Sequence, residues 1–164
     1  MKKYYFLFLI VLVCSCYSFK GGSVPDYLKN IELASTEDIS GFAKPSVRQD
    51  LTQILIAAFR DDNSLKISNS SSPDSKLETV ITVIRANERL AVSSREYETT
   101  RLVTMEVRAT FIDNIKKKNV FKDKAFYSSV QYPVSSGSNG ETEALKQNMK
   151  KISNDILLEI VSAW

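Results

Sequence analysis

The chain has 164 residues, with 22 lysines and arginines set against 19 aspartates and glutamates, and no histidine. Lacking histidine, it lacks the usual general base and the commonest metal ligand, which excludes histidine-dependent catalysis. A net charge of only +3 falls short of the basic surplus of a nucleic-acid binder, so no such partner is expected.

Met1-Lys2-Lys3 is a basic start, followed by an apolar run from Tyr4 to Val13. A helix of about ten residues cannot cross a hydrocarbon core of about 30 Å, so the run is expected to be an export signal rather than a span. No later apolar stretch approaches membrane-spanning length. Val13-Cys14-Ser15-Cys16 resembles the lipobox of bacterial lipoproteins, with an aliphatic residue at −3, a small one at −1 and then the modified cysteine. Cys16 fits that role. Cys14 does not, because it would put Val13 where a small side chain is needed. The plainer alternative is a cysteine that merely lies near a signal cut.

Both cysteines of the chain lie in this stretch. Cleavage before Cys16 would leave 164 − 15 = 149 residues, 20 basic against 19 acidic side chains, and a single cysteine. No disulfide framework and no cysteine metal site would remain. The Cys16 sulfur would carry a diacylglyceryl group and the residue an acyl chain, enough lipid for firm anchoring. No other cofactor is expected. The expected plan is a signal at 1–15, a lipidated lead segment at 16–30 and one domain at 31–164.

Within that domain, Ile31 to Ala34 alternates as a short strand, and Ser35 to Lys44 is polar and loop-like. Ser46 and Gln49 have the spacing of a capping box, and Val47, Leu51, Ile54, Leu55, Ala58 and Phe59 form one apolar stripe at helical period. A core-facing helix explains that stripe better than a membrane-surface helix does. Leu65–Ser68 is a second short strand, and Asn69–Ser75 is rich in turn formers. Leu77–Ile84 is apolar on both faces, which predicts an interior strand covered on two sides. Arg85–Arg95 reads as a strand end and connection. Arg101–Phe111 alternates strictly, with Val103, Met105, Val107, Ala109 and Phe111 on one face. Asn114–Asn119, with Lys116-Lys117-Lys118, is expected to be a hairpin tip. Val120–Val130 loses its parity, which predicts a bulge. A loop at Pro133–Gly140 should lead into a helix from about Glu141 to Ala163. Its apolar stripe is Leu145, Met149, Ile152, Ile156, Ile160 and Ala163, widened by Leu157 and Val161. The predicted fold is an α+β two-layer sandwich. A four- to five-stranded, mostly antiparallel sheet carries two helices on one face in the order β-α-β-β-β-β-α, with a parallel crossover at the start.

The string Cys16-Tyr17-Ser18-Phe19-Lys20-Gly21-Gly22-Ser23-Val24-Pro25 resembles the mature start of the LptE family of lipopolysaccharide-assembly lipoproteins, formerly rare lipoprotein B. The element order and the Val161-Ser162-Ala163-Trp164 ending are similar too, although a glycine after the cysteine is missing. The resemblance implies a non-enzymatic protein of the outer membrane, facing the periplasm. It would plug the large β-barrel translocon LptD, help it assemble, and contact lipopolysaccharide on its way to the outer leaflet. Tyr17 after the cysteine, rather than aspartate, agrees with outer-membrane sorting.

Phosphate-rich glycolipid calls for cations near apolar groups. The candidates are Arg95, Lys116, Lys117, Lys118, Lys122 and Lys124; Lys124-Ala125-Phe126 is locally similar to a family stretch whose basic residue is tied to glycolipid. The competing explanation is that a lysine-rich tip is a solvated turn and that edge lysines block strand pairing. Two other functions compete. A periplasmic lipoprotein regulating or scaffolding an envelope enzyme could use the same fold. An enzyme is disfavoured, because Asp61-Asp62 and Glu96 with Glu98 sit in no nucleophile elbow, phosphate loop or ligand spacing.

Overall fold

The structure, a computed structural model, describes residues 24–89 and 100–164. The expected signal, Cys16 and Arg95 lie outside the described residues. Among those described, no helix is long and apolar enough to cross a membrane.

Among the described residues, six strands form one mixed sheet: β1 (Asn30–Leu33), β2 (Glu37–Asp38), β3 (Lys66–Ile67), β4 (Ser75–Arg89), β5 (Thr100–Asp113) and β6 (Lys118–Pro133). Their order is β3-β1-β4-β5-β6, with β2 also beside β4. The three long strands run antiparallel, while β1 and β2 join β4 in parallel and β3 joins β1 in parallel. The helices α1 (Ser46–Asp62) and α2 (Gly137–Ser162) pack on each other, and α2 lies across β5 and β6. The predicted α+β sandwich and its parallel β1-α1-β3 crossover are present, with one correction to the strand count.

The added strand is β2, in the stretch expected to be a loop. Two acidic residues carry no strand signal of their own; their pairing with Val80 and Ile81 is dictated from outside. Just before them, the buried Thr36 hydroxyl lies 2.9 Å from that of Thr79 and accepts a 3.0 Å hydrogen bond from Thr52 on α1. This small hydroxyl cluster draws the segment onto the sheet.

Helix α1 buries Val47, Leu51, Leu55 and Phe59, as its stripe requires. The capping box is not formed. Pro45, at φ −59° and ψ −23°, already has helical geometry at the N-cap and makes no side-chain cap bond, so Ser46 becomes the first helical residue. At the other end Asn63 adopts φ 57° and its N–H donates to the Phe59 carbonyl, a left-handed cap.

Strand β4 is interior to the sheet, but only one of its faces is covered. Ser75, Leu77, Thr79, Ile81 and Ile84 are buried, whereas Val80 and Val83, on the open side, are only partly buried. A register shift between Ile81 and Val83 absorbs one extra residue and returns Ile84 to the core. Strand β5 keeps the predicted alternation throughout, ending with Phe111 and Asp113 both fully buried. The bulge expected in the last strand is real: Ala109 faces Lys124 and Phe111 faces Phe121, leaving Lys122 and Asp123 opposite Thr110. Asp123 takes φ 51° there, and its N–H donates to the Thr110 hydroxyl at 3.0 Å.

Helix α2 starts at Gly137, after a short 3-10 turn at Val134–Ser136, where a loop to Gly140 was expected. Gly140 explains the early start. A Cβ there would lie 2.7 Å from the Tyr132 ring and 2.6 Å from the Ser136 Cβ, so only glycine lets the first turn close over Tyr132. The expected stripe is buried from Leu145 to Ile160, but Ala163 is exposed beyond the helix end. The inner face also holds Asn148, which donates to the Val103 carbonyl at 2.8 Å and so ties α2 to β5.

Candidate functional site

The alternation of β5 carries Asp113 to the buried face just before the chain turns. Its carboxylate accepts a 2.8 Å hydrogen bond from the Tyr27 hydroxyl and another of 2.8 Å from the Lys116 N–H. The second bond spans three residues and shapes the turn, as aspartate does when its own chain folds back on it. Lys117 closes the turn at φ 52°. Asn114 fastens the tip to the loop before β4, with its N–H donating to the Asp74 carbonyl and its amide to the Pro73 carbonyl, each at 2.9 Å. Asp74 in turn accepts from Lys29 N–H, Asn30 N–H and the Asn30 side chain at 2.8–3.1 Å. Lead segment, hairpin tip and loop are thereby one tied unit.

This unit gathers the predicted lysines unevenly. Lys116 Nζ lies 4.3 Å from the centroid of the Tyr27 ring, and Lys118 Nζ lies 5.8 Å from that of Trp164. Trp164 is held in place by its indole N–H, which donates to the Ile160 carbonyl at 2.8 Å. Lys117 is exposed between them. Lys122 is exposed at the bulge, away from the turn. Lys124 is drawn to α2, where its ammonium pairs with Glu159 at 2.5 Å. Arg95 lies outside the described residues. Sequence reasoning did not single out Tyr27, Asp113 or Ile115, which is 51% exposed at the tip. The Asp113-Asn114 pair is a legible turn opener, but Tyr27 is 86 residues away from its partner and has no local signal.

The open face of the sheet has a different character. Arg108 binds Glu106 at 3.1 Å and Asp123 at 2.8 Å. Its hydrogen bond to Glu106, followed by that to Asp123, raises the guanidinium pKa above its ordinary value. Lys76 pairs with Glu78 at 2.8 Å, and Thr104 donates to Glu88 at 2.8 Å. Tyr127 is 60% exposed on this face. On the helix side, a groove of about 280 Å³ between α1 and α2 mixes Ile54, Leu145 and Met149 with Lys44 and Asp50. Among the described residues, no group of three or more aspartate, glutamate or cysteine side chains is placed to hold a metal.

No curated protein matches the chain. Solved structures do. An uncharacterized lipoprotein B from Nitrosomonas europaea superposes with a TM-score of 0.60 at 12% identity, over 90% of each chain. The rare lipoprotein B of Shewanella oneidensis gives 0.52 at 13% identity, over 80% of this chain and 94% of that one. A minor lipoprotein from Acinetobacter baumannii gives 0.51 at 13% identity, over 82% and 94%. Such low identities establish the fold and nothing finer. The family model for LptE, described as lipopolysaccharide-assembly, matches residues 28–160, from the buried Leu28 to the last buried residue of α2. On that match the chain belongs to the LptE family.

Proposed function

We propose that this protein is a non-enzymatic, lipid-anchored component of the outer membrane that plugs and helps assemble the LptD β-barrel translocon and contacts lipopolysaccharide during its delivery to the outer leaflet. The observation that carries this is the family match over residues 28–160. The anchor is the lipid on Cys16, exposed by cleavage after residue 15, and residues 16–30 lead from it to a domain spanning 31–164. The domain faces the periplasm and lies within the barrel lumen.

Two features of the fold support the assignment. A barrel interior is polar and wet, and the open sheet face offers matching chemistry through its paired Glu106, Arg108 and Asp123 and its exposed Tyr127. Lipopolysaccharide phosphates require cations for charge-assisted hydrogen bonds. Lys116, Lys117, Lys118 and Lys122 supply them with no ion pair among the described residues; Lys124 shares its charge with Glu159, and Arg95 completes the set.

The test is affinity purification of the tagged protein from solubilised outer membranes, with mass spectrometry of what accompanies it. A large β-barrel protein in stoichiometric amount is expected. Recovery from the outer membrane without a barrel would overturn the plug. An intact mass lacking the fatty-acid increment, or a processed chain free in the periplasm, would overturn the anchor.

A further inference from the structure

The two faces of the sandwich hold their charges in different states. On the open sheet face, Lys76 pairs with Glu78 at 2.8 Å, Arg85 with Glu88 at 3.9 Å, and Arg108 with both Glu106 and Asp123. On the outer face of α2, Lys146, Lys150 and Lys151 are exposed and make no ion pair among the described residues. The acids of that helix are engaged or turned aside. Glu141 accepts from Asn87, Glu143 accepts from Gln147, and Glu159 binds Lys124 on β6. Asp155, one turn before Glu159, lies on the same flank and is partly buried.

The three lysines fall within two turns, so their ammonium groups share about 8 Å of helix axis. Toward the C-terminus comes Leu158, 66% exposed, with Leu157 and Val161 partly buried beside it. Trp164, with Lys118 over its ring, follows. From Lys150 to Trp164 is about 21 Å along the helix. This side of the domain therefore carries one lane: free cations, an apolar step, then the lysine tip. An ion pair keeps its own compensation when water is removed, whereas a lone ammonium does not. The open sheet face thus costs less to cover, and α2 is the face that keeps its water or exchanges it for anions.

We propose that, within the barrel lumen, the open sheet face lies against the wall and the outer face of α2 lines the passage, where Lys146, Lys150 and Lys151 bind the phosphorylated sugars of lipopolysaccharide. The inference rests on the proposed barrel and glycolipid; it adds a second cation site and the side of the domain along which the glycolipid moves to or from the hairpin tip. Phosphates take charge-assisted hydrogen bonds from the ammonium groups, and the C–H faces of sugar rings pass over Leu158. Three exposed contacts of roughly twofold to fivefold each give roughly tenfold to a hundredfold in affinity together.

The test introduces the photoreactive residue p-benzoylphenylalanine into the full chain in lipopolysaccharide-producing cells. One position is Asn154, exposed between the lysines and Leu158, and the other is Tyr127 on the open face. After irradiation the tagged protein is purified with its partner, and adducts are identified by lipopolysaccharide immunoblot and mass spectrometry. Position 154 is expected to capture lipopolysaccharide and position 127 the barrel. The triple variant Lys146→Glu/Lys150→Glu/Lys151→Glu should lower capture at 154 by about tenfold or more while the barrel still co-purifies. Lys66→Glu, on the far edge strand, should leave it unchanged. Circular dichroism confirms that the variants are folded.

With the barrel present, position 154 capturing the barrel or nothing, or capture there that ignores the three lysines, overturns the proposal and leaves the plug standing. So does capture of lipopolysaccharide at 127 alone. If no barrel co-purifies, the plug fails instead. The full chain is then titrated with deacylated lipopolysaccharide: lysine-dependent binding upholds the cation site on α2, and no binding overturns that as well.

Discussion

At one end of the long antiparallel strands, a buried carboxylate collects its partners: Asp113 holds the Tyr27 hydroxyl and the Lys116 N–H. At the other end a neutral amide does the same work. Asn87, at φ 61° beside a register shift in β4, accepts from Tyr132 at 2.5 Å and Arg101 at 3.0 Å and donates to Glu141 at 2.6 Å. Both devices fasten a chain segment to the sheet, but they leave opposite surfaces. Near Asn87 an arginine and a glutamate are drawn into one network. At the tip Asp113 is turned inward, and the lysines stand outward with aromatic rings beneath two of them. Where a fold buries its carboxylate decides which end remains available to anions.

The largest expected effect lies at the Asn87 end. Gly140→Val puts a branched side chain into space already filled by Tyr132 and Ser136, and Tyr132 is buried and held by its bond to Asn87. Overpacking of this kind should cost about 2–3 kcal/mol in urea denaturation, with little helix propensity regained. Next comes Asn87→Ala. It loses the bonds to Tyr132, Arg101 and Glu141 and forces alanine into a left-handed conformation, for about 2 kcal/mol in all because most of those partners can turn to water. Asn87→Gly, which keeps the backbone comfortable, should recover about half of that loss.

At the tip, Asp113→Asn should cost about 1 kcal/mol, because one of the two donors then faces an amide NH2. Hydrogen exchange should rise at the Lys116 amide and stay unchanged at Asn87; a rise at both would show that the two ends are not independent. The smallest effect belongs to the open face. The hydrogen bond from Lys76 to Glu78 holds the Lys76 pKa above its ordinary 10.5. A raised lysine pKa means that the stabilisation is complete below pH 10.5 and fades as pH climbs through the folded value. For so exposed a pair it should be under about 1 kcal/mol. Lys76→Met should therefore match the parent in stability above that range and fall slightly short of it at pH 7.

Much of this was legible in the chain, where local pattern and tertiary demand agree. The alternation of β5, the stripe of α1 and the broken parity of β6 each follow from burial on one face, and the lysine tip follows from turn chemistry. What escaped depends on distant partners. Nothing near Glu37 and Asp38 announces a strand, because β4 imposes it. The first turn of α2 looks like a loop until Tyr132 gives Gly140 a reason to be there. The second face of β4 looks like core because Val80 and Val83 are apolar, yet two partly buried valines need no covering layer. At the candidate site the lysines could be named from sequence, but the rings beneath them could not, since Tyr27 and Trp164 reach the tip only after the sheet has formed.

The kink at Asp123 bears on how the molecule keeps its own company. β6 is the last strand of the sheet, and along much of its 16 residues the outer row of amides and carbonyls has no neighbouring strand among the described residues. A straight border of that length would invite a second copy to zip alongside and seed aggregates. The left-handed turn of one aspartate, with a lysine on either side, breaks the border into two shorter lengths that no flat ribbon can follow at once.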